Sequence, residues 1–121
     1  TRGETMSRYG LTIDEDRKLK RILREKVMQR QDSLCLRCRS LEGLDAHHLY
    51  TQKMYPGMKF ESTNVIGLCR RCHRWVHDNP AKAIRWLETA VTAVEWAFLH
   101  EASKYKSKVR FYFEDELEKL R

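Results

Sequence analysis

Cysteine and histidine crowd into one stretch of the chain. All four cysteines and four of the five histidines lie between Cys35 and His77. The cysteines form two C-x-x-C pairs, Cys35 with Cys38 and Cys69 with Cys72, separated by thirty residues. Thiolate sulfur in a tetrahedral array suits Zn2+, and two such knuckles supply four ligands. Two disulfides are the other pairing the residues allow. Knuckles this far apart, in a basic chain that opens on no secretory signal, point instead to metal in a reducing compartment. The expected site is therefore a structural zinc on Cys35, Cys38, Cys69 and Cys72.

That site is complete without the histidines, which need a separate role. His73 and His77 are four apart on an expected helix, about 40° from each other around its axis and one turn along it. They form a chelating pair. His47 and His48 are adjacent on an expected strand, so their side chains should leave opposite faces. One can bind a metal while the other meets a substrate. His100 stands alone and is expected to be exposed or structural.

These residues need elements to hold them. Thr12-Ile13-Asp14-Glu15 has the form of a capping box and predicts a helix over 12–31. Leu19, Ile22, Leu23 and Val27 form its buried stripe. Its other positions carry Arg17, Lys18, Lys20, Arg21, Arg24, Lys26 and Arg30 against Asp16 and Glu25. Residues 44–50 and 64–68 suit short strands, with a turn at Tyr55-Pro56-Gly57. Residues 70–78 should be helical. Asn79 and Pro80 should then open another helix running to about Ser103. Its apolar stripe would be Ile84, Leu87, Val91, Val94, Phe98 and Ala102, with Trp86 and Trp96 beside it. Residues 1–11 read as a flexible arm. Lys104, Lys106 and Lys108 make a basic connector, 109–113 a short extended segment, and 114–121 a last helical turn or two.

Charged residues make up 34% of the 121 and the net charge is +7. So many charges leave room for only a modest core, of the kind a metal often staples. The positive balance points to a polyanion, nucleic acid before an acidic membrane surface. No apolar run is long enough to span a bilayer, and the expected setting is cytoplasmic. The basic helix then becomes a phosphate-contacting surface through Arg17, Lys20, Arg21 and Arg24, joined by Arg71 and Arg74 of the later helix.

The knuckle spacing resembles the treble-clef and zinc-ribbon pattern. The run DAHHL, then Asn64 with VIGLC, then RRCHRWVH, resembles the HNH endonucleases over about residues 34–78. The resemblance implies a small α+β fold, a ββα-metal, treble-clef-like core flanked by N- and C-terminal helices. It also implies one domain over 12–121, with extensions at 12–31 and 80–121. It makes His48 the general base and puts a catalytic divalent ion on His47, His73 and His77. Asp45 would then sit behind a ligand, and Asn64 would either hold the loop and orient the base or be a ligand itself. DNA is the implied substrate, cut or nicked with little sequence preference in a bacterial or phage-infected cell. Where such enzymes carry a Gly-rich turn after the histidine pair, this chain has Met54-Tyr55-Pro56-Gly57.

An imidazole-rich shell favours Zn, Ni, Co or Mn; Mg prefers oxygen and gains ground only if Asn64 is a ligand. A zinc module that binds nucleic acid without catalysis would explain the cysteines and the charge. It leaves His47, His48, Asn64 and His77 as coincidences. A place in a phage packaging or recombination assembly, with 80–104 as a protein-partner or self-association surface, is compatible with the nuclease.

Overall fold

The computed structural model describes residues 11–105. They form a small α+β unit of four helices and one two-stranded antiparallel sheet. In chain order these are α1 (Ile13–Arg30), β1 (Leu44–His48), β2 (Val65–Cys69), α2 (Arg70–Asp78), α3 (Pro80–Ala90) and α4 (Ala93–Tyr105). Two 3-10 turns, Pro56–Met58 and Ser62–Asn64, punctuate the link between the strands. The readings of residues 1–10 and 106–121 lie outside the described residues. Among the described residues no helix is long and apolar enough to cross a membrane.

Helix α1 begins where its capping box predicts. The Thr12 hydroxyl accepts from the Glu15 amide at 3.1 Å, and the Glu15 carboxylate accepts from the Thr12 amide at 3.0 Å. Asp14, Glu15 and Asp16 in the first turn and Arg30 in the last complement the helix dipole. Leu19, Leu23 and Val27 are buried as expected, and Ile22 is half-buried. Leu11 corrects the arm. It is fully buried against Leu19, Leu23, Val27, Phe60 and Val65, so the chain is already packed one residue before the helix cap.

At the other end of α1, two side chains latch onto β2. Gln31 donates to the Gly67 carbonyl and accepts from the Gly67 amide, both at 2.9 Å. Arg30 donates to the carbonyls of Ser62 and Val65. A Cβ on Gly67 would sit 2.9 Å from Leu44 and 3.1 Å from the Gln31 amide nitrogen. Only glycine admits this approach. Asp32 and Ser33, both at positive φ, then turn the chain into the first knuckle.

The strands pair from Leu44 with Cys69 to His48 with Val65. Beyond His48 one more backbone bond, from the Leu49 amide to the Asn64 carbonyl at 2.8 Å, precedes a side chain that takes over from the ladder. Asn64, fully buried, accepts from the Tyr50 amide at 2.7 Å and donates to the carbonyls of Tyr50 and Met58 at 3.0 and 3.1 Å. This pins both ends of the 50–58 loop and ends β1 two residues earlier than expected. Cys69 closes β2 and caps α2, its sulfur accepting from the Cys72 amide.

The single helix expected from Pro80 to Ser103 is two. Val91 adopts an extended conformation, and Thr92 opens α4 with a second capping box. The Thr92 hydroxyl accepts from the Glu95 amide, and the Glu95 carboxylate accepts from the Thr92 amide. Val91 and Ala102 of the expected stripe are buried, but Ile84, Val94 and Phe98 are exposed and Leu99 is buried in their place. The break rotates α4 so that Leu99 meets Met58. Asn79 also differs in detail. Its amide donates to the Trp75 carbonyl at 3.0 Å, so it finishes α2 and puts no side-chain bond on α3.

Candidate metal centres and the histidine strand

The four cysteine sulfurs converge. All four donor atoms lie within 4.8 Å of one another, and Cys38 and Cys69 are 3.7 Å apart. A tetrahedron of ~2.3 Å zinc–sulfur bonds has an edge of roughly 3.8 Å, which the Cys38–Cys69 separation matches, so the four sulfurs are placed to hold one zinc ion. The amides of Cys38 and Cys72 point at the sulfurs of Cys35 and Cys69, each at 3.5 Å. The first knuckle closes through Arg39, which takes a positive φ of 64° and donates to the Cys35 carbonyl.

The thiols of Cys38 and Cys72 do not ionise alike. The Ser40 hydroxyl and backbone beside it draw Cys38 down to about 6. Burial pushes Cys72 up to about 12. A bound cation would bring such unequal sulfurs to one charge state. Two arginines face the cluster. Arg37 stacks 3.7 Å over the Trp75 ring and donates to Cys72. Arg71 is bonded to Cys38, and that thiolate pushes its pKa up.

A second group forms on the α2 side of the sheet. His47 of β1 and His73 and His77 of α2 each offer a ring nitrogen, all within 4.8 Å of one another. The His73 and His77 Nε2 atoms are 3.1 Å apart. A tetrahedron of ~2.0–2.1 Å metal–nitrogen bonds has an edge of roughly 3.3 Å, so the three imidazoles also fit one ion. Asp45, two residues before His47 and therefore on the same face, lies 3.3 Å from His73 Nδ1. A carboxylate only accepts, so Nδ1 carries the hydrogen and Nε2 turns its lone pair inward. Burial first, then the neighbouring histidines, hold His47 down at about 4. It is neutral at physiological pH, as a ligand must be.

His48 leaves the opposite face, as strand alternation requires. Its Nε2 lies 2.9 Å from the Lys59 carbonyl and its Nδ1 3.3 Å from the Gln52 amide nitrogen. Since a carbonyl cannot donate, Nε2 carries the hydrogen and Nδ1 holds the lone pair. Burial holds His48 below the usual histidine range. The nearby Lys59 ammonium acts the same way, while the bond to the Lys59 carbonyl opposes them. Lys59 is itself buried and salt-bridged at 2.8 Å to Asp16, which Lys20 also pairs at 2.8 Å. Sequence reasoning passed over Lys59, Asp16, Gln52 and Gln31. Nothing local marks Lys59, Asp16 and Gln31, because each acts on a residue far away in the chain; Gln52 lies only four residues from His48.

The other expected residues are placed as follows. Asn64 spends its side chain on the 50–58 loop and touches neither metal group; it bears on His48 only through that loop. Arg17, Lys20, Arg21 and Arg24 are all exposed along α1, with Lys20 tied to Asp16 and Arg24 donating to the Leu44 carbonyl at 2.7 Å. Arg74 is exposed on α2, whereas Arg71 is engaged with the cysteines. His100 is exposed on α4. No family model, no curated protein and no solved structure matches this chain.

Proposed function

We propose that the chain is a metal-dependent endonuclease of the HNH type, hydrolysing phosphodiester bonds in DNA, with β1, β2 and α2 as a ββα-metal core. The observation that carries this reading is the convergence of His47, His73 and His77 beside a cysteine cluster already complete in itself. A structural zinc protein has no use for a second, three-imidazole group with room for further ligands. Catalytic metal sites keep such open positions.

When bound by those three histidines, a divalent ion would supply positive charge to the phosphate oxygens and the departing oxygen. The protein's own groups do the rest. The Lys59 carbonyl fixes the tautomer of His48 and leaves Nδ1 as a base. The Gln52 amide donates to that lone pair at 3.3 Å, and it must swing aside for a water to take its place on Nδ1. His48, neutral because it is buried, takes the water's proton as the oxygen attacks phosphorus. The phosphorus–oxygen bond on the far side breaks, and the leaving oxygen ends as a hydroxyl once solvent protonates it. Among the described residues β1 pairs with β2 alone, and its outer edge carries no further strand. A phosphate lying across that edge can be reached by His48 from one face and by the three-histidine group from the other.

Imidazole ligands favour Zn, Ni, Co or Mn over Mg. Because Asn64 is committed to the loop, it adds no oxygen ligand to tilt the site towards Mg. The test is incubation of the purified protein with supercoiled plasmid and a panel of divalent ions. Nicked or linear product with the transition ions, and less with Mg, is the expected result. No product with any ion would refute the reading.

A further inference from the structure

On the α1 side of the sheet lies a cavity of about 290 Å3. Its floor is shallow at Ala46, which carries only a methyl, while Gly67, paired with it across the strands, is covered by Leu44, Gln31 and Val27. Leu23 and Val27 form an apolar wall, Lys20 and Arg24 stand at the rim, and His48 lies along one side. Ala46 is exposed through the opening. Hydrolysis as derived above uses His48, a water and a phosphate, and leaves the apolar part of the cavity without a task.

An apolar slot rimmed by cations matches one nucleotide: a planar base seeks apolar walls and its phosphate seeks positive charge. The volume falls just below the ~300–1,000 Å3 of ordinary small-molecule sites, which accommodates one base and not a base pair. Lys20, Arg24 and Lys59 outnumber Asp16 and Asp45 around it. The rim cations are already held in place, Lys20 by Asp16 and Arg24 by the Leu44 carbonyl, so little side-chain freedom is lost on binding. A base inside a duplex is stacked and paired and cannot enter without leaving the helix.

We propose that this cavity receives one unstacked base of the substrate strand, with Lys20 and Arg24 on its phosphate, so that the protein acts on single-stranded or locally opened DNA. The proposal rests on the nucleic-acid reading above and names the form of that nucleic acid.

The test is binding, with His77→Ala protein so that cleavage does not interfere. A labelled oligonucleotide is titrated as a single strand, as a perfect duplex, and as a series of single strands with one abasic position each. The single strand should bind at least tenfold more tightly than the duplex. One abasic position should weaken binding roughly 5- to 150-fold, the range expected for losing one base–side-chain stack. Ala46→Phe, which fills the opening from an exposed strand position, should erase that abasic effect while zinc content and circular dichroism stay unchanged. If Ala46→Phe does not fold, the abasic series on His77→Ala protein decides alone. Equal binding of single strand and duplex, with no sensitive position, overturns the proposal even if the wild type cuts plasmid. The expected binding pattern from a protein that cuts nothing with any ion would uphold the cavity and remove the nuclease.

Discussion

Replacing Asn64 by Ala should cost the fold roughly 3 kcal/mol. The side chain serves three backbone groups: the Tyr50 amide, the Tyr50 carbonyl and the Met58 carbonyl. Met58 is fully buried, but its carbonyl keeps the bond from the Glu61 amide at 3.3 Å, so the loss there is one ordinary bond, about 0.5–1.5 kcal/mol. Tyr50 is half-buried, and water can recover part of its two bonds, which leaves about 0.5–1.5 kcal/mol for each. The total is about 1.5–4.5 kcal/mol. In a domain of ordinary stability, about 5–15 kcal/mol, that is a large fraction, and the melting temperature should fall by on the order of 15 °C. Asn64→Asp keeps the acceptor for the Tyr50 amide but loses both donated bonds and buries a charge. It should be no better than Ala. The assay is urea unfolding followed by circular dichroism at a fixed excess of zinc, since metal that binds only the folded state adds to apparent stability. An Asn64→Ala protein within about 1 kcal/mol of wild type would refute the reasoning, because it would mean the loop is held by something other than this amide.

Four further outcomes are expected. His48→Ala should lower cleavage by about 10²–10⁴-fold with folding intact; a variant turning over near the wild-type rate in a plasmid assay would remove His48 as the base. Cys69→Ser, Cys72→Ser or prolonged chelation should unfold the domain, whereas His77→Ala should keep the cysteine-bound zinc, and circular dichroism with metal analysis distinguishes them. Exchanging Arg17 and Arg21 for Gln should flatten the slope of log K against log salt on duplex DNA by roughly 2 if both meet phosphates; an unchanged slope retires that face of α1 as a DNA contact. Burial alone would raise the Asp16 carboxyl, but the bonds from Lys20 and Lys59 outweigh it and hold it below the usual carboxylate value. Its stabilisation is therefore present above about pH 4, the unfolded value, and is lost as pH falls through the lower folded one. Asp16→Asn should cost about 3–5 kcal/mol at neutral pH, since it takes the carboxylate from a buried ammonium, and should flatten the acid limb of the stability curve.

What the sequence made legible is what short-range rules govern. The Thr12 and Glu15 pair marked the start of α1. Period two in β1 sent His47 and His48 to opposite faces. Four-residue spacing on α2 put His73 and His77 on one side. The break between α3 and α4 was written just as locally, in Thr92-Ala93-Val94-Glu95. It was hidden because the apolar spacing of Val91, Val94 and Phe98 continues through it as though the helix did. That apolar pattern mostly ended in solvent instead of the core. The rest of the fold depends on partners that meet only in three dimensions. Gln31 finds Gly67, Lys59 finds Asp16, and the Lys59 carbonyl finds His48, across gaps for which sequence spacing offers no rule.

The pairing of β1 with β2 also carries an error-prevention problem. Because His47 and His48 are neighbours, a slip of β1 by a single position would exchange them. The imidazole now beside His73 and His77 would turn towards α1, and the one now held by Lys59 would turn towards α2. Every backbone hydrogen bond could be remade, so the ladder itself does not forbid the exchange. The safeguards are side chains that count positions. Gln31 grips both polar atoms of Gly67, Arg30 holds the Val65 carbonyl on the same strand, and Arg24 holds the Leu44 carbonyl on the other. Leu44 also fits against Gly67 only because that position lacks a Cβ. The end of α1 thus works as a ruler laid across the sheet, and a one-residue insertion within β1 would keep the strands while scrambling which histidine faces which side.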